Sequence, residues 1–201
     1  MLNASAARHH HLCPRQVLGV RIGLAGARAV GMEVPRQDKR LLVIVETDGC
    51  FISGVEAATG CSVYWRTMRI LDYGKIAAVF VNVITGQTVR VAPRLDARER
   101  VWAFAPAGET RHYFAMLYGY QAMPDDHLLT CSPGELQIPL SEIISRPGVR
   151  ENCARCGEEI INEREIMWEG KPLCRGCAGT MHDLFGERKP IPGAPHPFRP
   201  S

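Results

Sequence analysis

Four cysteines in the C-terminal part of the sequence have the spacing of a metal site. They form two Cys-x2-Cys pairs, Cys153 with Cys156 and Cys174 with Cys177, and seventeen residues separate the pairs. Each pair can direct two sulfurs at one point, and the intervening chain is long enough for a hairpin that brings the pairs together. Four thiolates satisfy the tetrahedral coordination of Zn²⁺ and leave no position open for water or substrate. The spacing therefore predicts a structural zinc site.

Other chemistries of paired cysteines fit this pattern less well. Haem attachment requires a histidine directly after a Cys-x2-Cys pair, but Gly157 and Ala178 follow the two pairs. A thioredoxin-like redox motif uses one pair, not two at this separation. Iron bound as in rubredoxin is the weaker alternative to zinc. A module of this kind can bind nucleic acid, bind protein or only brace a domain.

A second group of potential ligands lies near the N-terminus, where His9, His11 and Cys13 alternate along the chain. Pro14 disfavours helical geometry at Cys13 and favours an extended backbone. In an extended chain, residues two apart share a face, so these three side chains would point the same way. Two imidazoles and a thiolate are suitable ligands for zinc or another thiophilic ion. Because Pro14 also suits the first position of a helix, the helix dipole would favour a thiolate at Cys13.

Further residues with reactive side chains follow the first predicted strand. Cys50 comes directly after that strand and opens a short helix, and sites in α/β proteins tend to form at such positions. Cys61 follows the same helix, and a small buried thiol is at least as good an interpretation of it as a ligand. Lys75 lies in the turn 72–75 between two strands, so it could reach a site at that edge or belong to an ordinary surface turn. Cys131 is interpreted as structural.

These residues require elements that position them. The periodicity predicts helices over 14–31, 50–60 and 111–122, strands over 41–46, 79–84 and 88–92, and irregular structure or short strands over 124–148. The small residues of the first helix suggest tight packing against a neighbour. Between the cysteine pairs we expect strands over 158–167 and 168–173, followed by a helix over 175–185. The predicted domains are a core at 1–148, a four-cysteine finger at 149–186 and a Pro-rich, disordered tail at 187–201.

Composition narrows the possible partners and the compartment. The formal net charge is only +3 and basic residues do not interleave with aromatic ones, so nucleic acid is not favoured as a partner. The apolar stretches are shorter than a membrane span requires, and arginines interrupt the region where a signal peptide would need an apolar run. We therefore expect a cytoplasmic protein without a membrane partner. In a reducing compartment the eight cysteines are expected to act as ligands, reactive thiols or buried apolar groups.

The order of these motifs resembles one known family. His9-x-His11-x-Cys13-Pro14, the small-residue helix, Cys50, the sequence 59–61 (Thr-Gly-Cys) and the sequence 72–75 (Asp-Tyr-Gly-Lys) are similar to the FmdE family of formylmethanofuran dehydrogenase proteins. The similarity covers about residues 8–92, and the four-cysteine finger is similar to that of the two-domain members.

The resemblance implies an α+β fold, with a mixed sheet flanked by helices in a thioredoxin-like core and a small C-terminal treble-clef zinc finger. It also implies a homodimer and a metal-binding cleft, most simply for a second zinc ion. In that family, the segment matching His9, His11 and Cys13 and the cysteine matching Cys50 form the presumed active site. Cys61 is close to it in the motif, and Lys75 matches the lysine of the family's Asp-x-Gly-Lys. The family name derives from association with a molybdenum or tungsten enzyme of one-carbon metabolism.

Several positions depart from the family pattern. Arg8 and His10 replace an aromatic residue and a glycine before the cysteine, and Arg15 stands where glycine or proline is common. The segment 62–69 replaces a loop that contains glycine and lysine, and we expect it to line the cleft. The ligand or partner of this chain can therefore differ from that of other members.

Three functions are compatible with these features. The first is a metal-binding accessory or metal-handling subunit of a molybdenum-type or tungsten-type oxidoreductase, with ligands His9, His11, Cys13 and Cys50. The second is an enzyme in its own right, in which the metal keeps an open position or Cys13 and Cys50 act as low-pKa thiols, with Lys75 as acid/base or anion contact. The third, less favoured, is a regulator that uses the finger on nucleic acid.

Overall fold

The structure is a computed structural model that describes residues 1–7, 9–144 and 147–179. The chain divides into two units, Met1–Gln137 and Ile138–Ser201. This division falls earlier in the chain than the boundary predicted at residue 148. The first unit carries the N-terminal candidate residues, and the second carries the four-cysteine cluster.

The first unit contains both helices and strands. Its helices are α1 (Leu2–Ala7), α2 (Pro14–Ala29), α3 (Cys50–Thr59), α4 (Ala97–Arg100), α5 (His112–Ala122) and α6 (Asp125–Leu128), with a 3-10 turn at Val101–Phe104. Its strands are β1 (Leu41–Val45), β2 (Met68–Ile70), β3 (Ala78–Asn82), β4 (Thr88–Pro93) and β5 (Leu129–Gly134). The predicted helices and strands are found with small shifts at their ends, and the region predicted to be irregular contains α6 and β5.

The five strands form one mixed sheet in the order β2-β1-β3-β4-β5. The β1–β2 pair is parallel and the other three pairs are antiparallel. Every residue of β1 is buried, as expected for an uninterrupted apolar run of β-branched and leucine residues in the middle of a sheet. Helices and sheet share one hydrophobic core. The structure therefore confirms the predicted α+β fold with a mixed sheet flanked by helices.

Helices α2 and α3 lie side by side and run in the same direction. Gly19 of α2 lies against Phe51 and Gly54 of α3, and Gly23 lies against Ala58 one turn further along both helices. A Cβ atom added at Gly19 would stand 2.3 Å from the carbonyl oxygen of Phe51, so only glycine permits this approach. The small residues of α2 therefore do pack tightly against a neighbour, and both helices begin at the same end.

The second unit contains short strands around the cysteine pairs. Its elements are α7 (Leu140–Ile143), β6 (Arg150–Asn152), β7 (Glu159–Ile161), β8 (Ile166–Trp168) and β9 (Lys171–Leu173). Strands β6 and β7 form one antiparallel pair, and β8 and β9 form another whose turn is at residues 169–170, the predicted place. The single strand predicted over 158–167 is wrong, because Asn162 and Glu163 take positive φ and separate β7 from β8.

Residues 175–179 form turns in the structure. The rest of the predicted closing helix, from residue 180, and the predicted tail at 187–201 lie outside the described residues. Over the three described ranges, none of the helices combines the length and the apolar character needed to cross a membrane.

Candidate metal centres

The four cysteines of the second unit come together. Their sulfur atoms all lie within 4.8 Å of one another, which is close to the ~3.8 Å that sulfurs of one tetrahedral zinc site have. Each pair forms the same tight turn, in which Gly157 N–H donates to the Cys153 carbonyl and Ala178 N–H donates to the Cys174 carbonyl, both at 2.9 Å. The donor set and its geometry fit a four-coordinate metal ion such as zinc with no open position.

Backbone amides prepare this cluster for a cation. The Cys174 N–H donates to Cys153 Sγ at 3.2 Å. Burial opposes ionisation of Cys153, but amides of Cys156, Cys174 and Arg155 outweigh it and lower the pKa of Cys153 to about 6. Burial raises the pKa of Cys156 to about 11. Four thiolates therefore need a cation, because metal binding releases the remaining protons.

At the N-terminal end, Cys13 and Cys50 occupy equivalent positions on two parallel helices. Cys13 is the N-cap of α2 and is extended there, with φ −126° and ψ 160°, as Pro14 predicts. Its backbone N–H donates to Gln16 Oε1 at 2.7 Å. Cys50 is the first residue of α3 and follows Gly49, whose φ of 76° turns the chain from β1 into the helix.

The residues before Cys13 do not have the extended geometry predicted for them. His10 takes a φ of 60°, and the chain turns at 9–11 after the His9 N–H has bonded to the Ala6 carbonyl. The alternation that placed His9, His11 and Cys13 on one face is therefore wrong over the histidines. A positive φ at a histidine has no local signal in the sequence, since His10 is neither glycine nor followed by a turn motif.

The turn nevertheless brings His9 to Cys50. His9 Nδ1 lies 4.0 Å from Cys50 Sγ, and His9 Nε2 lies 2.6 Å from the hydroxyl of Ser53. When Nε2 carries the proton, it donates to Ser53 and leaves the Nδ1 lone pair for a metal, which is how histidine ligands are commonly held. Two such ligands of one tetrahedral zinc would stand ~3.6 Å apart. His11 is exposed.

Cys13 and Cys50 interact with each other and with α5. Burial raises the pKa of Cys50, and the charge of Cys13 and a hydrogen bond between the two side chains raise it further. The predicted low-pKa thiol at Cys50 is therefore wrong, because burial and a second thiol outweigh the helix dipole. Tyr113, whose hydroxyl donates to the Leu12 carbonyl at 3.4 Å, has a pKa that is raised by burial and then by Cys13 and Cys50.

Sequence reasoning missed Ser53 and Tyr113. Ser53 is three residues after Cys50 on the same helix, so helical periodicity alone could have found it. Tyr113 comes from a distant helix, and no signal in the sequence places it there.

Glu46 ties the two loops at the carboxyl end of β1. Its carbonyl accepts hydrogen bonds from the N–H groups of Tyr73 (2.9 Å) and Lys75 (3.1 Å). Its buried carboxylate forms a two-point ion pair with Arg90, at 2.6 and 2.7 Å. The loop that carries Lys75 therefore lies at the same sheet edge as the loop that leads to Cys50, and the Lys75 side chain is exposed there.

Two predicted members of the cleft lie elsewhere. Cys61 belongs to the hydrophobic core at the opposite end of α3, where its thiol donates to the Leu41 carbonyl at 3.6 Å and burial raises its pKa. The segment 62–67 precedes β2, which runs parallel to β1, so it lies at the amino end of β1, away from Cys50. The expectation that this segment lines the cleft is therefore wrong. Cys131 is exposed on β5 rather than part of the core.

The two centres differ in how far they are assembled. Within the described ranges, only the four finger cysteines form a group of three or more potential ligand atoms within 4.8 Å of one another. His9, Cys13 and Cys50 are neighbours, but a metal would have to draw them closer.

Comparison with known proteins adds three findings. The model of a family described as "FmdE, Molybdenum formylmethanofuran dehydrogenase operon" matches residues 8–129. A protein of Archaeoglobus fulgidus named "Probable S-adenosyl-L-methionine-binding protein" is 26 % identical over 207 aligned positions, which cover 89 % of this chain and 52 % of that protein. The chain thus spans about half the length of this curated relative.

The third finding concerns the fold. The crystal structure of an FmdE-like protein of tungsten formylmethanofuran dehydrogenase, from Syntrophus aciditrophicus, superposes with a TM-score of 0.55 at 20 % identity. The superposition covers 91 % of this chain and 92 % of that one. The two chains therefore share a fold over nearly their whole length.

Proposed function

This chain belongs to the FmdE family, and from that premise we propose that it is a metal-binding accessory or metal-handling subunit linked to a molybdenum or tungsten oxidoreductase. The proposed chemistry lies in the first unit, at the start of α2 and α3. The finger of the second unit holds structural zinc in this proposal and acts as a brace or a binding module.

One observation carries the proposal. Cys13 and Cys50, which are far apart in sequence, stand together at the starts of two parallel helices, and His9 Nδ1 reaches to 4.0 Å from Cys50 Sγ. Two sulfurs and an imidazole suit zinc or another thiophilic ion. The Ser53 hydroxyl supports this assignment, because it orients His9 through the ring nitrogen that does not face Cys50.

The proposed ligands are therefore His9, Cys13 and Cys50. His11 is the proposed fourth ligand, since it is exposed and belongs to the same turn, which would have to move when a metal binds. Cys61 is left out, because it is buried in the core at the far end of α3.

The link to an oxidoreductase draws on the comparisons. The family is described by a molybdenum formylmethanofuran dehydrogenase operon, and the Syntrophus protein is named after the tungsten enzyme. These names support a role beside such an enzyme in one-carbon metabolism. A cytoplasmic homodimer is part of the same proposal.

X-ray absorption can test the role of the N-terminal metal. The spectrum of the Cys13→Ser variant reports the finger alone, so its difference from wild type isolates the N-terminal site. Four protein ligands would support a carrier or accessory role. Three protein ligands and an exchangeable oxygen would contradict it and support an enzyme in which Lys75, held at the same strand end, contacts the substrate.

A further inference from the structure

Cys13 and Cys50 are a pair of free thiols that the fold holds side by side. A Cβ atom added at Gly54 would lie 2.9 Å from the Cα of Gly19 and 2.2 Å from the carbonyl oxygen of Gln16. The backbones of α2 and α3 are therefore in contact, closer than the 8–10 Å between the axes of ordinary helix pairs. Each thiol is within one or two turns of this contact.

The other cysteines of the described ranges stand apart from this pair. Cys61 is in the core at the opposite end of α3, and Cys131 is exposed on β5. The remaining four belong to the finger cluster of the second unit. Within the first unit, Cys13 is thus the thiol that the fold presents to Cys50.

The two thiols differ in access. Cys13 is 8 % exposed, whereas Cys50 is only partly buried. A small reagent can therefore reach Cys50 first, and Cys13 is the neighbour that can react with the product. This division of roles is typical of a nucleophilic and a resolving cysteine.

We propose that Cys13 and Cys50 are a redox modification site, at which a low-molecular-weight disulfide such as oxidised glutathione converts the metal-free thiol pair to an intrachain disulfide. The inference rests on the proposed metal site, because it names what happens to that site when the metal is absent. A bound metal holds both sulfurs as ligands and protects them. The disulfide removes both sulfur ligands and leaves His9 and His11, so the oxidised chain does not bind the metal.

The reaction proceeds in two exchange steps. The Cys50 thiolate attacks one sulfur of the small disulfide, forms a mixed disulfide and releases one small thiolate, which takes up a proton. The Cys13 thiolate then attacks the Cys50 sulfur, forms the Cys13–Cys50 bond and releases the second small thiol. Two protein thiols are oxidised by two electrons, and one small disulfide is reduced to two thiols.

The test uses the full chain in a Cys131→Ser background, which removes the exposed thiol. One sample carries zinc in the finger only, and a second is saturated with zinc. Both are treated with oxidised glutathione at pH 8.5, alkylated and digested for mass spectrometry. We expect a linked Cys13–Cys50 peptide in the first sample, at least tenfold slower formation in the second, and reversal by dithiothreitol. With Cys13→Ser, oxidation should stop at the mixed disulfide of Cys50.

The outcomes separate this inference from the proposed function. If two equivalents of zinc bind but Cys13 and Cys50 stay reduced, or stop at glutathione adducts in the metal-free pair, the redox site is refuted and the metal site stands. If the disulfide forms equally fast in both samples, the thiol pair stands and the proposed metal protection is refuted.

Discussion

At the scale of single residues, Ser53 has the most specific role that the structure suggests. Its hydroxyl lies 2.6 Å from His9 Nε2, on the side of the ring opposite the nitrogen that approaches Cys50. A partner at that position fixes both the orientation and the tautomer of a histidine ligand. The affinity of the N-terminal site should therefore depend on a side chain that does not touch the metal.

We predict that Ser53→Ala weakens zinc binding at the N-terminal site by about tenfold or more, because loss of such a partner commonly costs 10–100-fold in affinity. Ser5→Ala is a matched control, since Ser5 is also buried but its hydroxyl has no hydrogen-bond partner within the described structure. Competition with a chromophoric chelator measures the affinity. Equal affinities of the two variants would remove Ser53 from the site.

At the scale of elements, the contact between α2 and α3 determines where the two thiols stand. Gly19 and Gly54 let the helix backbones touch, and the helices begin at neighbouring points because they run in the same direction. The packing of the core and the geometry of the site are therefore one property of the helix pair. A side chain inserted between the helices should damage both.

Gly54→Ala should test this dependence. The new methyl group would lie 2.2 Å from the Gln16 carbonyl oxygen, so the helices must separate. We expect a loss of about 2–3 kcal/mol in the free energy of unfolding, as for an overpacked core, and slower formation of the Cys13–Cys50 disulfide. Gly134→Ala has no atom within 4 Å of the added group and should be close to neutral. Urea denaturation compares the variants, and an unperturbed Gly54→Ala would contradict the close helix contact.

A second contact between elements is electrostatic and should depend on pH. Arg21 of α2 donates to the carbonyls of Tyr120 and Met123, both at 2.7 Å, and pairs with Asp125 at 2.6 Å. Burial would raise the pKa of Asp125, but the hydrogen bond from Arg21 outweighs it, with help from Arg28, and lowers the pKa below its ordinary value. Because the folded-state pKa is depressed, the stabilisation is present above the unfolded pKa of ~3.9 and is lost as pH falls through the folded value.

Asp125→Asn should therefore destabilise the chain by about 1 kcal/mol at pH 7, a modest value because the carboxylate is 41 % exposed and screened by solvent. The difference from wild type should shrink below about pH 4. Asp126→Asn, with a side chain that is 80 % exposed, is the adjacent control. Unfolding free energies across pH 3–7 provide the comparison, and a pH-independent difference would refute the electrostatic origin.

At the scale of the whole molecule, the chain carries two candidate metal centres, one in each unit, and they were not equally predictable. The finger cluster follows from local spacing, because each Cys-x2-Cys turn is built from consecutive residues. The strands and helices of the core were also predictable, since their apolar periodicity is local. The pairing of Cys13 with Cys50 depends on two helices packing in parallel, which the sequence suggested only through the small residues of α2 and the family resemblance.

The errors have physical causes of the same kind. The turn at His10 and the break at Asn162 and Glu163 require positive φ at residues that are not glycine, and tertiary contacts rather than propensity determine such conformations. Cys61 looked like a ligand because it is near Cys50 in the motif. The intervening helix, however, carries it to the far end of α3 and into the core.

The number of zinc ions per chain tests the central claim most directly. We predict two equivalents in the wild type and one in both Cys13→Ser and Cys50→Ser, because each variant removes a sulfur ligand from the N-terminal site and leaves the finger intact. Cys61→Ser, which changes a core thiol, should retain two. Elemental analysis of the purified, zinc-saturated proteins gives the counts. One equivalent in the wild type and in every variant would contradict an N-terminal metal centre.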